Sequence, residues 1–460
     1  MKPCIFLLTA MAALSFSACG GGSTNSTTTT PPTTQPTVPP AIHLAVNQWT
    51  WVNGANTWEQ QGTYGTLGVA ASGDAPGGRE NAFNWIDASG NLWLFGGSGY
   101  DSTGTRGNLN DLWKYSAGDW TWMGGSNLAN QPGIYGIQGT AAPSNIPGAR
   151  SSGVTWVDAS GNLWLFGGGT FNDLWKYSAG EWTWVGGANV ASQPGTYGTL
   201  GVASRSNTPG ARLYAVSWTD ASGNFWLFGG WTEANGDLND LWKYSAGEWT
   251  WMNGSNVFNE QPTYGIQGTA APSNNPGARD SAISWTDASG NFWLFGGTNY
   301  FDNGIIVVGG GFLNDLWKYS SGDWTWMGSA AYQGTYGTLG VAAPANGPGA
   351  RVDAAGWTDA SGNLWLFGGY GDTPGAGGNL NDLWKYSAGE WTWVNGSNEV
   401  NEDGTYGIQG TAASGNVPGG RNGAVTWIDA SGNLWLFGGN GFPGEGIGNG
   451  YLNDLWEYEP

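Results

Sequence analysis

One unit written six times constrains this chain more than any other feature. The string Trp-Leu-Phe-Gly-Gly begins at Trp93, Trp164, Trp226, Trp293, Trp365 and Trp435. Asp-Ala-Ser-Gly-Asn precedes each copy, starting at Asp87, Asp158, Asp220, Asp287, Asp359 and Asp429. Asn-Asp-Leu-Trp follows each, with its acid at Asp111, Asp173, Asp240, Asp315, Asp382 and Asp454. Self-similarity at a fixed period is the mark of a repeat architecture, in which neighbouring units bury each other's faces. No window shows a sustained 3.6-residue period, which excludes a solenoid of helices.

Each unit reads as four short strands. In the first, residues 82–86 alternate, and Asp-Ala-Ser-Gly-Asn is turn chemistry leading into a second strand, Leu92 to Phe95, that stops at the Gly pair. A third strand, Asp111 to Tyr115, turns through Ser-Ala-Gly into a fourth, Trp120 to Met123. Four antiparallel strands with paired Gly and regular Trp describe a propeller blade. Trp-Thr-Trp closes five units but also occurs at Trp49-Thr50-Trp51, before any complete unit, whereas the last unit ends without one. The N-terminal segment therefore supplies the missing strand, which removes a free sheet edge. The internal third strands carry Lys114, Lys176, Lys243, Lys318 and Lys385, each matched by an acid before strand four (Asp119, Glu181, Glu248, Asp323, Glu390). In the split unit these become Glu457 and Gln48, as expected if Lys and acid face one another across the hairpin. The expectation is an all-β, six-bladed β-propeller of four-stranded antiparallel blades over residues 45–460.

These residues resemble the kelch-repeat β-propellers, the group that includes the central domain of galactose oxidase. The Gly pair ends strand two, Tyr stands in strand three, Trp follows after a six-residue gap in strand four (Tyr115 to Trp122), and Arg heads strand one. The links from strand four to strand one are long and alternate strictly between Tyr-Gly-Thr-Leu-Gly-Val (Tyr64, Tyr197, Tyr336) and Tyr-Gly-Ile-Gln-Gly-Thr (Tyr135, Tyr264, Tyr406), which favours an even number of blades.

The first forty-odd residues are an address and a tether. A basic start and an apolar run from Ile5 to Ala18 read as a signal peptide over residues 1–18. Phe16-Ser17-Ala18-Cys19 resembles the lipobox of bacterial lipoproteins, which implies lipidation of Cys19, although Phe16 departs from the usual Leu. The glycines and Ser/Thr/Pro run that follow, within residues 19–44, cannot bury a core and read as a flexible stalk. The resulting expectation is a monomer at the cell envelope, either an outer-membrane or a cell-surface lipoprotein. It meets the membrane only through the anchor. Cleavage by an ordinary signal peptidase would give a secreted protein instead.

Composition narrows the chemistry. Both cysteines (Cys4, Cys19) and the sole histidine (His43) precede the repeats, so the repeats can build no Ser-His or Cys-His triad and no His-ligated copper centre. A galactose-oxidase-like activity, which the resemblance ties to copper-ligating His and a Cys–Tyr crosslink, is excluded with them. Motif positions carry 17 acids and 11 bases, while the remaining 17 acids face only Arg106, Arg205 and Lys2. Acidic loops repel phosphates and argue against nucleic acid. No cofactor is implied, although loop carboxylates near Asp101, Asp302 or Asp372 could hold calcium; ordinary solubility explains such loops equally well.

Variation collects in the links between strands two and three, which differ in every unit, and recognition usually lives in such loops. The candidate ligand-binding residues are Trp231, Glu233, Tyr300, Tyr100 and Tyr370, offering aromatic platforms beside a carboxylate. To these the resemblance adds the six arginines heading strand one, Arg79, Arg150, Arg212, Arg279, Arg351 and Arg421. In the family, arginines there can line the channel mouth and meet anions; the alternative is a structural device that binds carbonyls or an Asp of the next blade. The leading function is a binding module for a glycan or protein. The alternatives are a structural envelope component and a carbohydrate isomerase or carboxylate-based glycosidase.

Overall fold

Each Asp-Ala-Ser-Gly-Asn segment folds because one carboxylate satisfies the whole turn. In the computed structural model Asp87 Oδ1 accepts the backbone N–H of Ser89 (2.9 Å) and Asn91 (3.0 Å), and Oδ2 accepts the indole N–H of Trp93 (2.8 Å). Gly90 takes φ +79° to close it. The same bonds recur in the other five units, for example Asp158 with Trp164 and Asp429 with Trp435. The turn sets Phe83–Ile86 antiparallel to Leu92–Tyr100 with Trp85 opposite Trp93.

The structure describes residues 47–233, 236–299, 311–329, 332–373, 376–444, 446 and 448–460, and their regular elements are all strands. Cys19, His43, the leader and the tether lie outside them, as do Tyr300 and Asp302. Each repeat forms an antiparallel sheet in the order one-two-three-four. Neighbouring sheets bury a mixed aromatic and aliphatic layer between their faces. Phe83, Trp85 and Phe95 of the first repeat pack with Leu165, Trp175 and Trp182 of the second. An equivalent layer joins Leu94, Trp113 and Trp120 of the first repeat to Trp427 and Phe437 of the last. Face-to-face antiparallel sheets in chain order fit a β-propeller.

The N-terminal strand Gln48–Asn53 pairs antiparallel with Leu455–Glu459, bringing Trp49 opposite Tyr458 and Trp51 opposite Trp456. Trp49 is fully buried and meets Phe367 edge-on at 5.5 Å. The long links protect the outer strands. Each crosses the fourth strand of the unit it leads into, as where Gly68 donates to the Trp122 carbonyl (2.8 Å) and Gly410 to that of Trp51 (2.8 Å). The open edge of each sheet is thereby covered.

Two expectations need correcting. Strand two does not always stop at the Gly pair. In the first, third and fifth repeats it runs on, as Leu92–Tyr100, Phe225–Thr232 and Leu364–Thr373, past a register shift at the glycines. Gly96, at φ +61°, absorbs the extra residue as a bulge. Nor do Lys and acid face one another: Lys114 lies opposite Thr121, and Asp119 opposite Ser116 at the turn. The lysines lie instead over the strand-two tryptophans, and Lys243 reaches the turn carboxylate Asp220 at 3.2 Å. In the split unit Glu457 takes the lysine's place, bonds Asn433, and is pushed up to about 7 by burial and by Asp429.

If the N-terminal strand closes the structure, Trp49→Ala should cost about 3–5 kcal/mol, the range for a fully buried tryptophan. Deleting residues 20–40 should cost nothing measurable. Urea unfolding of the two variants checks this; equal midpoints would refute closure.

Candidate functional site

The six head arginines are withdrawn from solvent. Arg79 is buried and grips Asp111 with two parallel bonds, Nη1 to Oδ1 (2.7 Å) and Nη2 to Oδ2 (2.8 Å). Nη1 also donates to the Gly96 carbonyl (2.9 Å) and Nε to that of Gly77 (3.1 Å). Asp111 Oδ2 further accepts the Tyr64 hydroxyl (2.6 Å) and the Trp113 indole N–H (2.6 Å). The same two-pronged grip joins Arg150 to Asp173, Arg212 to Asp240, Arg279 to Asp315, Arg351 to Asp382 and Arg421 to Asp454, with Arg279 donating to the Pro276 carbonyl through Nη2 where the others use Nε on a glycine. Burial and the adjoining carboxylate push the tyrosine hydroxyls up, that of Tyr264 to about 12. The arginines therefore present no free guanidinium to a ligand. The structural alternative describes them, except that each pairs with the Asp of its own repeat rather than the next.

Immediately after each arginine the chain does something periodicity does not reveal. Asn81, Ser152, Tyr214, Ser281, Asp353 and Gly423 all take positive φ, between 51° and 64°. Their backbones form a closed cycle: the N–H of Ser152 donates to Asn81, Tyr214 to Ser152, Ser281 to Tyr214, Asp353 to Ser281, Gly423 to Asp353 and Asn81 to Gly423, all at 2.8–3.0 Å. The left-handed conformation is costly for a Tyr or Ser and persists only where its surroundings impose it. Here the cycle imposes it. The cavity inside holds about 250 Å³ and is lined by these six residues and the three following each. The residue pairs after the arginines differ in every repeat: Glu80-Asn81, Ser151-Ser152, Leu213-Tyr214, Asp280-Ser281, Val352-Asp353 and Asn422-Gly423.

Carboxyls crowd this mouth. Asp280 is pushed up to about 8 by burial and by Asp237, with which it shares a hydrogen bond. Asp353 rises to about 7 through desolvation. Glu80, also raised by burial, accepts the Tyr451 hydroxyl at 3.1 Å. Arg106 lies over the Tyr451 ring at 4.5 Å and donates to its hydroxyl. Protonated carboxyls, hydroxyls and amides on a fixed ring can both donate to and accept from a polyhydroxylated ligand.

The loop candidates are dispersed. Tyr100 meets Tyr451 edge-on at 6.0 Å, and desolvation with a hydrogen bond to Glu59 pushes it up to about 12. Tyr370 is 40% exposed and packs edge-on against Phe312. Trp231 is half-buried, its backbone bridged to Leu213. Thr232 and Glu233 line a cleft that Trp231 does not. The calcium suggestion at Asp101 meets an obstacle, because its oxygens already accept the N–H groups of Thr103, Thr105 and Ala129. Among the described residues, no group of three or more His, Cys, Asp or Glu could hold a metal ion. The axial ring and the Glu80–Tyr451–Arg106 cluster escaped the sequence reading; the signal was the changing pair after an unchanging Arg.

No protein-family model matches the sequence. No curated protein matches it either. Among solved structures, the chain is similar to the structure of YjhT, at 14% identity over 83% of this chain and 95% of that one, with a TM-score of 0.48. It is also similar to a fungal alcohol oxidase of the AA5 family, in complex with copper, at 14% identity over 86% of this chain and 77% of that one, with a TM-score of 0.44. These likenesses concern the fold.

The carboxyls at the mouth give a pH dependence of definite sign. Groups whose folded pKa lies above the unfolded value of 3.8 stabilise the fold fully below that value, and the contribution is lost as pH rises through about 7 and 8. The melting temperature should therefore fall between pH 5 and pH 8.5, with a slope of at most about 1.4 kcal/mol per pH unit for each group. Asp280→Asn should flatten it. Calorimetry at four pH values checks this, and an unchanged slope in the variant would refute the assignment.

Proposed function

We propose that this is a six-bladed β-propeller, tethered to the bacterial envelope, that binds a glycan at the end of its sheets bearing the variable links and the axial ring. The blade count is supported by the six-membered backbone cycle and by the six buried layers, each joining one repeat to the next. One observation carries the function. Six repeats share turns, strands and buried network, and differ where strand one begins and strands two and three are linked. A uniform repeat offers a ligand equivalent positions, whereas specificity needs a distinct contact. A glycan is favoured over a protein partner because the axial ring is small, concave and hydroxyl-, amide- and carboxyl-rich, rather than a broad apolar patch.

A panel of immobilised glycans probed with residues 41–460 tests this reading. Tyr214→Ala and Asp353→Ala should each weaken the captured glycan at least about tenfold, near 1.4 kcal/mol. Ser289→Ala, in a turn at the opposite end, should not. Loss of binding in the turn variant with the ring variants unaffected would place the site at the wrong end.

The tether is part of the proposal and rests on Cys19 after the apolar run and on the Ser/Thr/Pro stretch beyond it. Cys19→Ala should move the protein from the membrane to the soluble fraction or leave it unprocessed. Unchanged fractionation would exclude lipidation there.

A further inference from the structure

We propose that the cleft between the second and third repeats binds a sugar carrying a free ammonium group. This rests on the glycan reading and names the ligand chemistry of one pocket within it.

The cleft lies where a low link stands beside a tall hairpin. In the second repeat strand two ends at Phe166 and strand three begins at Leu174, so neither reaches beyond the Gly pair, whereas the third repeat extends both as the hairpin Phe225–Thr232 and Gly236–Ser245. The step between a short link and a tall hairpin leaves a cavity of about 380 Å³. That volume lies in the range of small-molecule sites.

Its lining is chemically one-sided. Leu213, Pro194 and Phe258 supply apolar surface against which the C–H face of a pyranose can lie. Thr170, Gln193 and Asn256 supply polar groups for hydroxyls. Arg212 also borders the cleft, but its charge is held by Asp240 through bonds of 2.7 and 2.9 Å, so it offers a ligand nothing. Glu233 is left as the charge that is not neutralised. It is exposed at the rim of the cleft, accepts the Ser192 hydroxyl at 3.5 Å, and makes no salt bridge among the described residues.

A neutral sugar seated here would cover that carboxylate and strip its water without replacing it. An anionic sugar would be repelled. An ammonium group restores the lost solvation with a charge-assisted hydrogen bond. The net charge of −20 draws cations toward the protein at long range.

The experiment is a calorimetric titration of the full chain with a glucosamine tetramer and, separately, with its N-acetylated counterpart. The glucosamine tetramer should bind at least about tenfold more tightly, the scale of one hydrogen bond to a charged group. Glu233→Gln should erase that difference, and Thr170→Trp should block both ligands by filling the cleft. Both variants should keep the wild-type melting temperature, since neither residue belongs to the buried network. Equal binding of the two tetramers, an unchanged preference in Glu233→Gln, or no binding of the glucosamine tetramer would each overturn the inference. The wider glycan reading is judged separately. A glycan from the panel that depends on Tyr214 and Asp353 leaves it standing when the cleft proves empty.

Discussion

A buried arginine–aspartate pair, repeated six times, holds together everything else in this structure. Each carboxylate takes two bonds from the guanidinium, one from a tyrosine hydroxyl and one from an indole, while the guanidinium spends its remaining donors on backbone carbonyls, those of Gly77 and Gly96 for Arg79 and those of Pro276 and Gly296 for Arg279. Four parts of the repeat meet at that point: the incoming link through Tyr, strand one through Arg, the end of strand two through the Gly carbonyl, and strand three through Asp and Trp. Such a pair adds little net stability over a well-packed apolar substitute. Removing one partner, however, leaves a buried charge uncompensated, at about 3–5 kcal/mol. Its role is therefore to specify geometry. It dictates where strand one begins, and so where the axial ring forms.

That division of labour explains the variable positions. With the arginine fixed at 2.7–2.9 Å on its aspartate and glycine carbonyl, the backbone bonds of the cycle recur in every repeat, although the side chains on it differ. Tyr, Ser, Asp, Asn and Gly occupy the same left-handed position around the cycle. A rigid frame carrying freely chosen side chains at one end is how scaffolds accommodate recognition.

Much of the fold was legible in the sequence because the signals were local or repeated. Turn chemistry located each hairpin, and the extra Trp-Thr-Trp identified the closing strand. What misled were inferences from residue type across unknown geometry. Lys114 and Asp119 looked like a cross-strand pair because their charges covary, yet the two-residue turn through Ala117 and Gly118 sets them off register. The head arginines carried a charge that suggested a ligand, but charge in a sequence says nothing about burial. Their partner aspartates lie 23 to 36 residues away, beyond the reach of any local pattern. The axial ring was hidden for another reason. Its residues share a backbone conformation and no side-chain property.

The pairing of Gln48–Asn53 with Leu455–Glu459 also governs the order in which the molecule can assemble. The first strand to leave the ribosome is among the last to find its place, since its partner is made some four hundred residues later. Contacts of such separation form slowly, because the intervening chain must be ordered first. Meanwhile the last sheet waits with an open edge, and five internal Trp-Thr-Trp strands in any neighbouring chain offer nearly the same pattern as the rightful one. Exchange of that strand between two nascent chains satisfies the same bonds and layers as closure within one. Crowding during synthesis, more than the stability of the finished fold, sets the danger for a protein built this way.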